Sequence, residues 1–299
     1  MKNWQRVQEK AVQFIKNSLE DYHKDKILIG LSGGLDSAVC AKLAVEAVGQ
    51  ENVIAIHLKE RDTPNESTYG AKIMAEHLNL PLLIKNTTFP ILVLGIYCTQ
   101  PLIGFLVPEK IKAAYAKTYY QVLSKNNHFY YKRLINKLGK NFNKNRVYFE
   151  DKSRIITLYF YHYASLNNAL VIDTANKTEL SIGYYVVYGQ AGDIMPISDL
   201  YKTEVREFAK FLGIPEYLIN KPPAPDIIPG LTDEYIIGLS YKELDQILLL
   251  LAENKDISII QSQTGVSEEK IRDVMKIKEV ASKIQQIPRA LDLKELEIA

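Results

Sequence analysis

Short apolar runs alternate with helical patterns in the first third of the chain, and this alternation restricts the fold more than any other feature. The runs are 26–31, 52–58 and 82–85, and helical patterns occupy 37–48 and 66–80 between them. Short apolar runs bounded by turn signals are typical of strands buried on both faces. Strands that alternate with helices form parallel sheets. We therefore predict an α/β protein with a doubly wound, mostly parallel sheet and helices on both faces.

The second half of the chain continues this pattern after an irregular stretch. The predicted elements are an amphipathic helix over 4–19, helices over 152–166, 176–184 and 201–212, a fourth strand over 169–173, a proline-rich loop over 221–232 and a helical tail from about 240. Residues 90–150 are rich in Tyr, Lys and Asn, and predict an insert of helices with a mobile basic loop around 136–146. We predict a single unit over 1–299.

Composition and charge exclude several classes of protein. The net charge is +2, which gives no strong basic field for nucleic acid. Cys40 and Cys98 lie far apart, without CxxC spacing, so we expect neither disulfides nor zinc, and a reducing, cytoplasmic compartment. Residues 90–108 are largely apolar but contain glycines, prolines and polar residues. A membrane span needs about 20 cleaner apolar residues, so no membrane insertion is expected.

The loop after the first predicted strand carries the clearest chemical signal. Residues 32–37 read Ser-Gly-Gly-Leu-Asp-Ser and lead into a predicted helix. Gly33 and Gly34 let backbone N–H groups turn toward an anion, and the helix N-terminus adds partial positive charge. Ser32 and Ser37 add hydroxyl donors. The loop is therefore predicted to bind phosphate groups, the alternative being a tight turn with glycines for geometry alone.

Asp36 indicates that a metal accompanies the phosphate. A carboxylate would repel a bare phosphate, so its place in the loop implies a divalent cation between the two. The loop lacks the Gly-Lys-Ser/Thr ending of a Walker A loop. Transfer of a terminal phosphoryl group is therefore not the expected chemistry.

Several motifs together resemble one family. The hexapeptide resembles the SGGxDS loop of the N-type ATP pyrophosphatases, which have a Rossmann-like fold and hold the departing pyrophosphate. Residues 173–179 resemble GTxNxxE, residues 183–205 resemble GYxTKYGDGGxDxxPIxxLxKxxV, and residues 221–245 resemble KxPTADL…TDExxLGxxYxxID. These are patterns of the ammonia-dependent NAD synthetases. By their order and spacing the chain is identified as a member of that family.

The resemblance implies roles for individual residues. Residues 32–34, 36 and 37 would bind ATP with Thr174, and Asp36 and Glu179 would hold Mg²⁺. Lys202 falls on the lysine that reaches the ATP phosphates, so Asp36, Glu179 and Lys202 would be the catalytic residues. Lys152-Ser153-Arg154 resembles RxR, which places Arg154 on a substrate-binding arginine. The remaining residues assigned to the substrate are Asn176, Tyr188, Asp193 and Asp226.

The resemblance also implies the reaction. The substrates would be ATP, ammonia and deamido-NAD (nicotinic acid adenine dinucleotide), with NAD, AMP and pyrophosphate as products. The acid would be activated as an acyl-adenylate, which ammonia then attacks. A homodimer is implied as well. Because the chain is too short for a fused glutaminase, we expect free ammonia or a separate glutaminase partner.

Some positions depart from the family pattern. The lysine of TKYG is Val187, the following Asp is Gln190, the Thr or Ser of KxPTADL is Ala224, and the glycine of GTxN is Asp173. The family's C-terminal His-Lys-Arg has no counterpart. We hypothesise that the ATP residues are kept while recognition of the acid has changed, with the 90–150 insert compensating or building a different pocket.

Three other interpretations remain open on the sequence. A paralogue could amidate a different carboxylate with the same ATP residues. A non-catalytic nucleotide-binding protein is disfavoured because Asp36 and Glu179 are both kept, and RNA modification because no RNA-binding module is recognisable.

The departures predict weak binding of deamido-NAD. Each lost charge-assisted hydrogen bond should weaken binding by roughly 1.5–3 kcal/mol. Titration of the protein with deamido-NAD measures this directly. An affinity ordinary for the family would contradict the hypothesis of changed acid recognition.

Overall fold

A parallel sheet forms the centre of the computed structural model, which describes residues 2–99, 107–124, 128–189, 192–225 and 230–284. Within these ranges the strands are β1 (Lys26–Gly30), β2 (Val53–Lys59), β3 (Leu82–Asn86) and β4 (Ala169–Ile172). Their spatial order is β3-β2-β1-β4, and all pairs are parallel. The sheet therefore grows in one direction from β1 to β3 and then reverses, so that β4 lies on the other side of β1.

Helices connect and cover the strands. In the described residues they are α1 (Trp4–Asp21), α2 (Leu35–Val48), α3 (Asn65–His77), α4 (Thr88–Val93), α5 (Glu109–Ser124), α6 (Phe129–Leu134), α7 (Lys140–Leu166), α8 (Lys177–Ile182), α9 (Lys202–Phe211), α10 (Glu216–Asn220), α11 (Asp233–Ile237), α12 (Tyr241–Ala252), α13 (Ile257–Thr264) and α14 (Glu268–Ile284). Short 3₁₀ turns occupy Gln50–Asn52 and Ile96–Thr99.

Strands β1, β2 and β4 are largely buried on both faces, as their continuous apolar runs predict, whereas β3 at the edge of the sheet is partly exposed. Alternate residues of β1 point in opposite directions, so Ile27 and Ile29 join a core with α1, α2 and α9, whereas Leu28 joins a core with α7. A further core is formed mainly by α5, α6 and α11 to α14. The predicted doubly wound parallel sheet with a helical C-terminal part is confirmed.

One predicted loop is wrong. Residues 136–146 were expected to form a mobile basic loop, but α7 begins at Lys140 and continues without a break to Leu166. Phe142, Tyr148 and Ile155 are buried along this helix. Burial of these side chains outweighs the low intrinsic helix propensity of the asparagines in the segment.

A buried charged cluster fixes the insert to the sheet. Lys152, on α7, is only 1% exposed. Its Nζ donates to Glu60 Oε1 at 2.8 Å and to Asp62 Oδ2 at 3.0 Å. Both carboxylates lie just beyond the end of β2, so the two ion pairs attach the long helix α7 to the carboxyl edge of the sheet.

Other donors complete this cluster. Tyr97 donates to Glu60 Oε2 at 2.5 Å, and Tyr148 donates to Asp62 Oδ2 at 2.5 Å. Arg61 and Lys112 also donate to Asp62. The carboxylates are thereby satisfied by groups from three segments of the insert, which offsets the desolvation of their charges. These donors hold the pKa of Asp62 well below its ordinary value even though its burial acts in the opposite direction.

In the part of the chain that the structure describes, no helix is both long and apolar enough to cross a membrane. Within the apolar stretch 90–108, residues 90–93 belong to α4 and residues 96–99 form a 3₁₀ turn.

Removing the lysine of the buried cluster should destabilise the fold strongly. Lys152→Met leaves two buried carboxylates without their shared cation, so we expect a loss of about 3–5 kcal/mol in the free energy of unfolding. Urea unfolding followed by circular dichroism measures the change. Lys210→Met is the matched control, because Lys210 is exposed and paired only with Glu207, and it should lose at most about 1 kcal/mol. Similar small losses in both variants would contradict a structural role for the cluster.

Candidate functional site

A large cavity opens at the carboxyl ends of β1 and β4. Its volume is about 980 Å³. The strand order reverses between these two strands, and ligands of open α/β sheets bind at such switch points. The loops that follow β1 and β4 both line the cavity.

The loop of residues 32–37 is shaped to present backbone donors. Gly33 has φ +83°, and an added Cβ would lie 2.0 Å from the carbonyl oxygen of Ser67, so only glycine fits. Ser32 Oγ accepts from Gly34 N at 3.1 Å and lies 3.1 Å from Ser37 Oγ. No side chain caps α2 at Gly34. The first N–H groups of this helix are therefore available to an anion in the cavity.

Lys202 links the loops that follow β1 and β4. Its ammonium group contacts the carboxylate of Asp36, at the start of α2, and lies 3.6 Å from Glu179 Oε1 on α8. All three side chains are largely buried and line the cavity. The three residues that the sequence identified as catalytic are therefore brought together.

Asn176 fixes this arrangement. Its side-chain oxygen accepts from Glu179 N at 3.0 Å, and Glu179 Oε2 accepts from Asn176 N at 3.3 Å, which is a capping box. Its Nδ2 donates to Asp36 Oδ1 at 3.1 Å. Asn176 is fully buried. In the described structure this predicted substrate residue orients both carboxylates.

Thr178 and Asp245 set the position of Lys202. Asp245 accepts from Thr178 Oγ1 at 2.5 Å and from Thr203 N at 2.8 Å, and Thr178 Oγ1 accepts from Lys202 N at 2.9 Å. These bonds hold the N-terminus of α9 against α8. The backbone of Lys202 is thereby fixed in position, and from there its side chain extends to Asp36.

Asp233 is a third carboxylate at the site to which sequence analysis gave no role. It is 4% exposed and lines the cavity. Tyr184 donates to its Oδ1 at 2.8 Å, and Tyr241 donates to its Oδ2 at 3.1 Å. Its place in the Thr-Asp-Glu motif was a signal that could have identified it.

Burial and neighbouring charges both shift the pKa values of the ionisable groups at the site. Burial, together with Asp36 and Asp233, raises the pKa of Glu179 to about 8, although Lys202 acts against this. Burial lowers the pKa of Lys202, but the surrounding carboxylates outweigh it and keep the pKa above its ordinary value. Burial also raises the pKa of Asp233. Three carboxyl groups thus lie near one ammonium group, and burial acts against the charged forms of Glu179 and Asp233.

Only some of the ligand-binding residues predicted from the sequence line the cavity. Thr174 and Tyr188 line the cavity. Arg154 does not line it, and instead pairs with Asp151 and Glu150. Asp193 accepts from Val171 N at 2.8 Å and from Tyr161 OH at 2.9 Å, which joins its segment to β4.

Two positions that the sequence singled out, Asp226 and Gln190, lie outside the described residues. The substrate roles assigned to Arg154, Tyr188, Asp193 and Asp226 remain predictions.

Several cavity residues were not identified as site residues from the sequence. Lys221 donates to the carbonyl oxygen of Gly33 at 3.1 Å and lines the cavity beside the loop. Arg133, Arg146 and Tyr185 line it as well. Lys221 is the first residue of the motif over 221–245, and Tyr185 occupies an unspecified position of the motif over 183–205. Nothing in the local sequence marks Arg133 or Arg146, which reach the cavity through the packing of α6 and α7.

The oxygen ligands at the site suit a hard cation. Among the described residues, no three His, Cys, Asp or Glu side chains form a group that could hold a metal by itself. Mg²⁺, however, is usually held by one or two carboxylates together with substrate phosphates. Asp36 and Glu179 provide two carboxyl groups beside the phosphate loop, and their oxygen atoms therefore fit such an ion.

Comparison with known proteins gives a consistent result. A model of the family described as NAD synthase matches residues 7–95 and 108–287. The NH(3)-dependent NAD(+) synthetase of Coprothermobacter proteolyticus is 39% identical over 272 residues, which cover 85% of this chain and 86% of that protein. The NH(3)-dependent NAD(+) synthetase of Thermotoga maritima is 36% identical over 288 residues, which cover 96% of this chain and 99% of that protein.

A solved structure is also similar. The NH3-dependent NAD synthetase from Campylobacter jejuni, in complex with the nitrate ion, superposes with a TM-score of 0.66 at 25% identity. The likeness covers 97% of this chain and 100% of that one. The match therefore includes the sheet, the cavity and the C-terminal helices.

The raised pKa of Glu179 predicts a pH-dependent stability. A group whose pKa is higher in the folded than in the unfolded protein contributes stability below its unfolded pKa and loses it as the pH rises through the folded pKa. The ligand-free protein should therefore lose Tm between about pH 5 and about pH 8, and Glu179→Gln should lose less. Differential scanning fluorimetry at several pH values measures this. Glu207→Gln, at an exposed position, should follow the wild type, and parallel curves for all three proteins would contradict the shift.

Proposed function

Because this chain belongs to the NAD synthase family, we propose that its cavity catalyses the ATP-dependent amidation of deamido-NAD by ammonia. The family predicted from the sequence motifs is confirmed by the match over 7–95 and 108–287. The relatives that match over most of the chain are NH(3)-dependent NAD(+) synthetases. The enzyme is accordingly an ATP-dependent carbon–nitrogen ligase.

The observation that carries the proposal is the position of Lys202 between Asp36 and Glu179. These groups lie where the phosphate loop meets α8, and Lys202 is held there through its backbone bond to Thr178. A triphosphate on the loop would bring its charge against this ammonium group. The same arrangement supplies carboxylates for a cation and a lysine for the departing phosphates.

The chemistry needs no protein nucleophile. A carboxylate oxygen of the acid attacks the α-phosphorus of ATP, the bond to the β-phosphate oxygen breaks, and pyrophosphate leaves. Backbone N–H groups of residues 32–37 and the N-terminus of α2 stabilise the charge on pyrophosphate, and Lys202 adds a positive charge. Ammonia then attacks the acyl carbon of the adenylate, AMP leaves, and a proton is released. Catalysis rests on positioning and electrostatics.

A magnesium ion is part of the proposal. Asp36 and Glu179 would hold it, and it would neutralise charge on the ATP phosphates. Burial raises the pKa of Glu179, and the neighbouring Asp36 and Asp233 add to this, so a bound cation would favour the ionised carboxylate that holds it. Asn176 keeps both carboxylates oriented through its bonds to each.

Free ammonia is the proposed nitrogen source, since the related synthetases are NH(3)-dependent. A homodimer is also proposed. It follows from the resemblance to the family, and the exposed side chains of Phe89, Val93, Ile111 and Tyr115 are available to such an interface. A separate glutaminase remains a prediction.

A second candidate is amidation of a different carboxylate by the same ATP residues. The observation that favours it is Val187, which lines the cavity where the family pattern has a lysine. Ala224, which lacks the hydroxyl of the family pattern, lines it too. In this second candidate both substitutions change the recognition of the acid, while Ser32, Asp36 and Ser37 keep the family pattern.

Pyrophosphate release from ATP tests the proposal. With Mg²⁺ and ammonium, release should depend on deamido-NAD and be matched by formation of NAD. Asp36→Ala should lower kcat by about 10²–10³-fold, because it removes a carboxylate that orients the phosphates and the cation. Coupled release of pyrophosphate and NAD by Asp36→Ala at the wild-type rate would contradict the assigned site.

The control is Asp256→Ala, at the N-cap of α13, which makes no side-chain capping bond. It should retain wild-type turnover. If deamido-NAD has no effect while ATP still binds, the second candidate holds, and a panel of carboxylates then identifies the acid.

A further inference from the structure

The cavity has a second cationic region that is separate from the phosphate loop. Arg133 lies on α6 and Arg146 on α7, so both come from the 90–150 insert. Tyr185, in the segment after α8, lines the same cavity. The aromatic rings of Tyr120 and Phe142 form part of the wall.

Arg133 carries a positive charge that no carboxylate of the described residues pairs with directly, although the charge of Glu150 acts on it from beyond ion-pair distance. Its half-buried guanidinium lies 5.5 Å from the ring centroids of both Tyr130 and Tyr184. Among the described residues it forms no ion pair, whereas Lys152, Lys177 and Lys202, which line the same cavity, are all paired with carboxylates. Removing a cation from water without an anion is costly, so a negative ligand group is expected beside it.

Arg146 and Tyr185 have unused donors. Arg146 Nη1 lies 3.3 Å from Glu150 Oε1, but its Nε is buried and has no hydrogen-bond partner among the described residues. The hydroxyl of Tyr185 is also buried without a partner there. Buried donors in proteins are nearly always satisfied. Two unsatisfied donors on one cavity therefore indicate that a ligand supplies the acceptors.

This region lies next to the reaction centre. The ring of Tyr184 contacts Arg133 on one side, and its hydroxyl donates to Asp233 at 2.8 Å. Asp233 in turn acts on the charge of Lys202. A ligand group at Arg133 would thus belong to a molecule whose reacting end can reach Lys202.

Two anionic reactants enter the cavity, ATP and the acid. The loop of residues 32–37 already provides for the triphosphate. We propose that Arg133, Arg146 and Tyr185 bind the phosphate groups of the acid substrate. This inference rests on the proposed function, because it assigns these residues to deamido-NAD.

The donor geometry fits phosphate. A guanidinium presents a planar fork of donors that matches two phosphate oxygens, and a phenol adds a single donor. The nearby rings of Tyr120 and Phe142 offer flat apolar surface to a base. Val187, in the same cavity, contributes no charge, so the insert supplies the positive charge on this side.

Binding measurements with single variants test the inference. Arg133→Met removes the charge, Arg133→Lys keeps the charge without the fork, and Tyr185→Phe removes only the hydroxyl. We expect Arg133→Met to raise the Kd and KM for deamido-NAD by about ten- to a hundredfold, with smaller rises for the other two. The Kd for a non-hydrolysable ATP analogue should change by less than about twofold, because its phosphates lie on the loop.

Matched controls are Arg272→Met and Tyr22→Phe, both exposed and outside the cavity lining. They should leave both Kd values unchanged, and thermal unfolding checks that every variant is folded. If wild type turns over deamido-NAD but Arg133→Met and Tyr185→Phe bind it normally, the inference is overturned while the proposed function stands. Weaker binding of the ATP analogue instead would also overturn it. Wild-type protein that neither binds nor converts deamido-NAD would overturn both.

Discussion

The contact of Lys202 with Asp36 and Glu179 joins three parts of the chain that lie far apart in the sequence. Asp36 follows β1, Glu179 follows β4, and Lys202 begins α9. The sheet brings the first two together because β1 and β4 are neighbours at the switch point. Every further bond at the site, including the capping box of Asn176, serves to keep these charges at fixed positions. Burial makes the arrangement costly without a ligand, which is typical of a site prepared for a charged substrate.

A second constraint acts on the other side of the cavity. Glu60 and Asp62 hold Lys152, and through it the whole of α7, against the edge of the sheet. Because Arg146 lies on the same helix, less than two turns before Lys152, this cluster also fixes where the insert meets the cavity. A network whose charges are mutually satisfied rigidifies its surroundings. The insert is therefore a structural part of the cavity wall and not a peripheral addition.

The sequence predicts those parts of the structure that depend on local residue patterns. The strands, the loop of residues 32–37 and the helices after β4 follow from short-range signals, and the structure has them within a few residues. The capping box at Asn176 was also readable, since an N-cap residue is followed three positions later by Glu179, but the asparagine was assigned to the substrate instead. Lys152 could not be recognised as buried, because its partners lie some ninety residues away. The helix at 140–146 was missed because packing of Phe142 overrides local propensity.

The two ends of the cavity are built by different means, and this explains which positions can vary. At the proposed ATP end the ligand would meet backbone N–H groups and a helix terminus, which depend on chain geometry and on Gly33 more than on side chains. At the proposed acid end the wall is made of side chains, among them Val187 and those of the insert. A substitution there changes charge or shape without moving the loop or Lys202. This difference supports the hypothesis that recognition of the acid has changed in this chain while the residues predicted to bind ATP are kept.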